Sequence, residues 1–139
     1  MAERIGQTVP APLRFELGRT PTAGDPAHAV LLVTVGEDRA PRVAVLSPAA
    51  ASVAGDRLIR LEVHAGSTTA ANLAHDSKAL IWCVLDAAAY SICGTCAASA
   101  SASDDSEFAA FELSVMDVYR DFEPASPMIA PPTYRAPST

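Results

Sequence analysis

Polar and apolar residues alternate with a period of two through much of the middle of this 139-residue chain. Side chains with that period point to opposite faces of an extended strand. The cleanest case is Arg57 to His64, where Ile59, Leu61 and Val63 fall on one face and Arg60, Glu62 and His64 on the other. Ala29 to Val35 is β-branched and apolar and ends at Gly36-Glu37-Asp38-Arg39, which reads as a strand and a hairpin turn. Arg42 to Ser47 resumes as a second strand, with Pro41 where a missing N–H is tolerated. An Ala-rich link over 48–56 follows, closed by the turn signal Gly55-Asp56.

After the Arg57–His64 strand the period changes. Thr69 to His75 is expected as a short helix with Ser67 or Thr68 as its N-cap, because a hydroxyl can accept an N–H of the first turn. Lys78 to Leu85 is apolar on both faces, the pattern of a central strand, and Tyr90 to Ala98 reads as a fifth. Residues 99–106 form a Ser-, Ala- and Asp-rich stretch expected as a hairpin tip. Phe108 to Tyr119 reads as a sixth strand, since Phe111, Leu113 and Val115 alternate with Glu112 and Ser114. A helix from Asp105 to Val115 competes, because Phe108, Phe111 and Val115 also fit a period near 3.6. The expected fold is mainly β: a small six-stranded antiparallel β-barrel with a short helix after the third strand. Closing such a sheet removes edges that would otherwise aggregate.

Prolines set the expected boundaries. Residues 1–27 carry Pro10, Pro12, Pro21 and Pro26 and are expected as an N-terminal arm. Residues 28–122 form the barrel domain, and 123–139 a Pro-rich C-terminal tail. The net charge of −6 and the absence of a Lys/Arg cluster argue against nucleic acid or an anionic membrane surface as partner. No apolar run approaches the roughly 20 residues of a membrane span. Met1-Ala2-Glu3-Arg4-Ile5 lacks the basic start and apolar stretch of a secretory signal, so a cytoplasmic location is expected.

Candidate chemistry is sparse. Cys83, Cys93 and Cys96 are expected as reduced thiols packed like small hydrophobes. Cys93 and Cys96 have the spacing of a redox dithiol, but positions i and i+3 of a strand face opposite ways. His28, His64 and His75 are too scattered to pair with them as metal ligands, so no metal is expected. His64 reads as part of a solvated or interfacial strand face, and Trp82 as core or interface. No catalytic residue is singled out, and no dinucleotide or Walker fingerprint is present. Ser67-Thr68-Thr69 stands out: the unpaired N–H groups and the dipole of a helix start favour an anion.

Taken in order, these pieces resemble the FMN-binding split barrel of the pyridoxamine 5′-phosphate oxidase-like superfamily. The residues that carry the resemblance are the Val33 to Pro41 strand and turn, Arg42 to Ser47, Asp56-Arg57-Leu58-Ile59-Arg60-Leu61, Ser67-Thr68-Thr69 with Asn72-Leu73, Ala79 to Leu85, and Tyr90 to Gly94. The resemblance spans roughly residues 28–119. It implies a homodimer with FMN (or another flavin or deazaflavin) in grooves between the subunits, acting as an oxidoreductase on a small molecule. It also implies a cofactor-binding set of Arg42, Ser47, Val63, Ser67, Thr68, Thr69 and Asn72, with the flavin phosphate at the Ser67–Thr69 turn. The chain has Thr68 and Thr69 where a basic pair is common in the superfamily. The alternative is accordingly a split-barrel homodimer that has lost flavin and serves a binding or structural role.

Overall fold

The computed structural model describes residues 2–20, 22–24, 26–99, 106–125 and 133–135. Its centre is one antiparallel sheet of eight strands. Every segment expected as a strand is one. They are β3 (Val30–Val35), β4 (Pro41–Leu46), β6 (Leu58–His64), β7 (Lys78–Leu85), β8 (Ala88–Ala98) and β9 (Phe108–Asp121). Two further strands, β1 (Ala2–Gly6) and β5 (Ala51–Gly55), complete the sheet. A separate two-stranded ribbon joins β2 (Pro26–His28) to β10 (Thr133–Arg135). The expected count of six strands is therefore too low.

The helix position is corrected with it. Helix α2 (Thr68–His75) lies where the residues predict, but it follows β6, the sixth strand in chain order rather than the third. The helical reading of 105–115 is also set aside, because residues 108–121 run as one long strand. The most polar part of the expected hairpin tip, residues 100–105, lies outside the described residues.

The sheet runs β4-β3-β7-β8-β9-β6-β5. Its two end strands, β4 and β5, are consecutive in the chain and joined by the short 3-10 turn Pro48–Ala50, yet no ladder pairs them. The sheet is open between them. Along its other edge, β9 pairs with β6 from Phe108 to Ser114, and β1 takes up the remainder from Val118 to Asp121. A polar segment thereby covers an edge that would otherwise be open.

Inward faces follow the period of two. Val30, Leu32 and Thr34 of β3, Ile59, Leu61 and Val63 of β6, and Leu113, Val115 and Val118 of β9 are all buried. Before β2, the chain adds α1 (Ala11–Glu16), started by Pro10 with Pro12 in its first turn, where a proline costs little. Val9, Leu13 and Leu17 around α1 are buried in the same core. The stretch expected as an arm thus contributes core side chains to the barrel.

Two backbone features shape the sheet. β8 and β9 slip register between Cys93 and Gly94, and a Cβ on Gly94 would collide with the carbonyl oxygen of Ser114. Leu85 pairs with Ala88, so the β7–β8 hairpin turns on Asp86 and Ala87 alone, both at positive φ (52° and 65°). Two central residues with positive φ are the mark of a type I′ turn, whose twist matches the strands it joins.

Candidate functional site

Ser67 ends the turn after β6 in extended geometry and caps α2. Its Oγ accepts the Ala70 N–H at 3.1 Å and donates to the His64 carbonyl at 2.6 Å. Both capacities most useful to a ligand are thus engaged within the turn. Thr68 is exposed and Thr69 half-buried, and among the described residues neither hydroxyl is hydrogen-bonded. Their N–H groups belong to the first helical turn and have no intrahelical partner.

Asn72 lies one turn along, on the same helix face as Thr69. It is buried at 7% exposure, and its Nδ2 donates to Thr34 Oγ1 at 3.1 Å. Thr34, 1% exposed, is also the cross-strand partner of Arg42. One β3 residue therefore stands between Arg42 and the α2 face that carries Asn72 and Thr69. The register of β3 with β4 and the docking of α2 on β3 together bring these groups to one rim of the barrel.

Arg42 is tied into the hairpin. Its Nη2 donates to Asp38 Oδ2 at 2.9 Å, and Asp38 Oδ1 accepts the Ala40 N–H at 3.0 Å. The Ala40 N–H, with the Arg42 guanidinium adding to it, outweighs lost hydration and holds the Asp38 carboxyl below its ordinary range. Asp38 is ionised at neutral pH and offsets the charge of Arg42. Thr34 and Asp38 were not foreseen as site residues. The signals for them are a lone Thr at an inward position of the Val30-Leu32-Thr34 alternation and an acid four residues before Arg42.

Ser47 stands apart from this rim. Ser47 caps the Pro48–Ala50 turn, accepting the Ala49 N–H at 3.2 Å, and is separated from Arg42 by the length of β4, roughly 16 Å. The Val63 side chain is in the core, 5% exposed. His64 stacks on Phe108 with ring centroids 4.8 Å apart, beside the α2 turn.

The opposite face of β3 carries an open groove of about 460 Å³. Val33, Val35, Leu80 and Met116 make its apolar walls, and Lys78 and Asp117 sit at its rim. Arg4 bonds Asp117 at 2.6 Å. On β4, Val43 and Val45 share this face and are 63% and 65% exposed. Trp82 lies on it too, half-buried opposite Leu31.

The three cysteines are free. Burial pushes the Cys83 thiol up to about 12, with the Glu16 carboxylate adding to it, and burial takes Cys96 up to about 11. Partial burial, then the Asp117 charge, also raises Cys93. None is the activated thiolate that redox exchange needs. Among the described residues, no group of three His, Cys, Asp or Glu side chains is placed to hold a metal ion. Nor is any helix among them long and apolar enough to cross a membrane.

No family model and no curated protein matches the chain. Solved structures do. A heme binding protein from Mycobacterium smegmatis aligns over 81% of this chain and 57% of its own, at 16% identity and a TM-score of 0.59. An F420 reductase aligns over 79% and 98%, at 11% identity and 0.56. An FMN-binding protein from Syntrophomonas wolfei aligns over 66% and 75%, at 15% identity and 0.54. The chain has the split-barrel fold of the pyridoxamine 5′-phosphate oxidase-like and FMN-binding proteins. At these identities the likeness establishes the fold alone, and the three neighbours' names mention three different groups, heme, F420 and FMN.

FMN has two parts to accommodate, and the residues present treat them unequally. The apolar groove suits a flat ring in size and character, but it lies on the face of β3 opposite the rim of Thr34 and Asn72. The phosphate corner offers two backbone N–H groups and two neutral hydroxyls, with Ser67 committed to the cap and Arg42 to Asp38. That is a poor match for a dianion.

Proposed function

We propose that this chain is a flavin-binding split-barrel protein, homodimeric, serving a redox reaction on a small molecule. The observation that carries the reading is the rim built by Arg42, Thr34 and Asn72, with Thr69 one turn before Asn72 on the same face of α2. In the split-barrel resemblance, that is the corner toward which a flavin is directed. The FMN-binding and F420 reductase neighbours support a flavin-type cofactor. A bound flavin would supply the electron transfer. The protein's part is to orient the ring, hydrogen-bond its edge and exclude water. The exposed apolar side chains of Val43 and Val45 support pairing with a second copy, since apolar surface of that kind marks an association site.

A second reading is favoured by one observation, the commitment of the Ser67 hydroxyl and of Arg42 to internal partners. It is a split-barrel dimer that has lost flavin and acts by binding or as a structural unit. An absorbance spectrum of the purified chain with and without FMN separates the two. Uptake of FMN with quenching of its fluorescence supports the first. Failure to bind FMN, riboflavin or a deazaflavin supports the second. Hemin in a parallel titration tests the cofactor class named by the mycobacterial neighbour.

A further inference from the structure

We infer that this chain takes a flavin by its ring system and does not select for the 5′-phosphate. Its ligand class is thus the isoalloxazine with or without a terminal phosphate, riboflavin as readily as FMN. The inference rests on the flavin reading above and concerns what that site recognises.

Three observations converge on it. First, the Ser67 hydroxyl donates to His64 and accepts from Ala70, so a phosphate oxygen would have to displace the bond to His64 to receive its proton. Second, the turn from Ser67 to Thr69 holds no cation, and charge-assisted hydrogen bonds are roughly twice as strong as neutral ones. A dianion there keeps most of its desolvation cost unrepaid. Third, three cations of the strands around the turn face elsewhere or are engaged, which leaves Arg39 of the β3–β4 turn as a described cation without an ion pair. Arg42 is held by an ionised Asp38, Arg60 lies 3.8 Å from Glu112, and Lys78 sits on the outer face of the sheet, beyond the far end of α2. An eight-residue helix places that end roughly 12 Å from the Ser67 turn. The whole chain, at −6, adds a repulsive field.

The test is a pair of fluorescence titrations of the purified 139-residue chain, with FMN and with riboflavin, at low and high ionic strength. The two dissociation constants are expected to agree within about threefold, and added salt is expected to leave their ratio unchanged. The double substitution Thr68→Arg, Thr69→Lys, at exposed and half-exposed positions, is expected to raise the FMN-to-riboflavin preference at least about tenfold. A wild-type chain that already prefers FMN tenfold or more, with a preference that falls as salt rises, overturns the inference and leaves the flavin reading standing. Absence of binding by both flavins overturns the flavin reading and this inference with it.

Discussion

Asn72 Nδ2 donates to Thr34 Oγ1 across 38 residues of chain, and both side chains are buried. This contact docks α2 on β3 and so fixes where the Ser67–Thr69 turn stands relative to Arg42.

Thr34→Val removes the acceptor and leaves the Asn72 amide buried without its partner. The expected loss is about 1–3 kcal/mol, the cost of an unsatisfied buried donor. Urea unfolding measures it. The double variant Thr34→Val, Asn72→Leu is expected to recover part of that loss. A single variant as stable as the wild type would show that the bond does not hold the helix.

Gly94→Ala places a methyl against the Ser114 carbonyl at the β8–β9 slip. Backbone cannot yield as a side chain can. Destabilisation is expected at the upper end of the roughly 1–3 kcal/mol typical of overpacking. An unchanged unfolding midpoint would contradict the close approach of the two strands.

Ala87→Gly acts in the other direction. Ala87 occupies the left-handed region with φ of 65°, which costs a residue with a Cβ roughly 1–2 kcal/mol. Glycine gains that strain back but has more freedom when unfolded, so a net stabilisation of roughly 0.5–1 kcal/mol is expected. A fall in the thermal midpoint would refute the type I′ geometry.

Folding keeps the Cys83 and Cys96 thiols protonated, raising them from 9.0 to about 12 and about 11. The native state therefore holds protons that the unfolded chain releases. This contribution is fully present below pH 9 and is lost as pH rises through the folded values. Stability measured from pH 8 to 11 should decline, and Cys83→Ala should flatten the decline. A slope unaltered by that substitution would assign the loss to other groups.

Much of the fold is legible along the chain, and the reasons are local. Ile59, Leu61 and Val63 announce β6 because one face is buried and the other wet. Ser67 announces α2 because its hydroxyl meets an N–H three residues on. β1 carries no such sign: Ala2-Glu3-Arg4-Ile5-Gly6 is an exposed edge strand placed by the free margin of β9. β5 is short and begins directly after the 3-10 turn, so its Ala-rich sequence reads as a link. The site divides the same way. Ser67 to Thr69 can be picked out from the turn, whereas the roles of Thr34 and Asp38 depend on strand register and on a contact between residues 38 positions apart.

The most direct test of the flavin assignment is a titration of the purified chain with FMN, followed by flavin fluorescence and by the visible absorbance of the complex. The account predicts saturable quenching with one flavin per subunit and a dissociation constant no weaker than tens of micromolar, on the order of −6 kcal/mol. No quenching in that range, with FMN or with riboflavin, would contradict it.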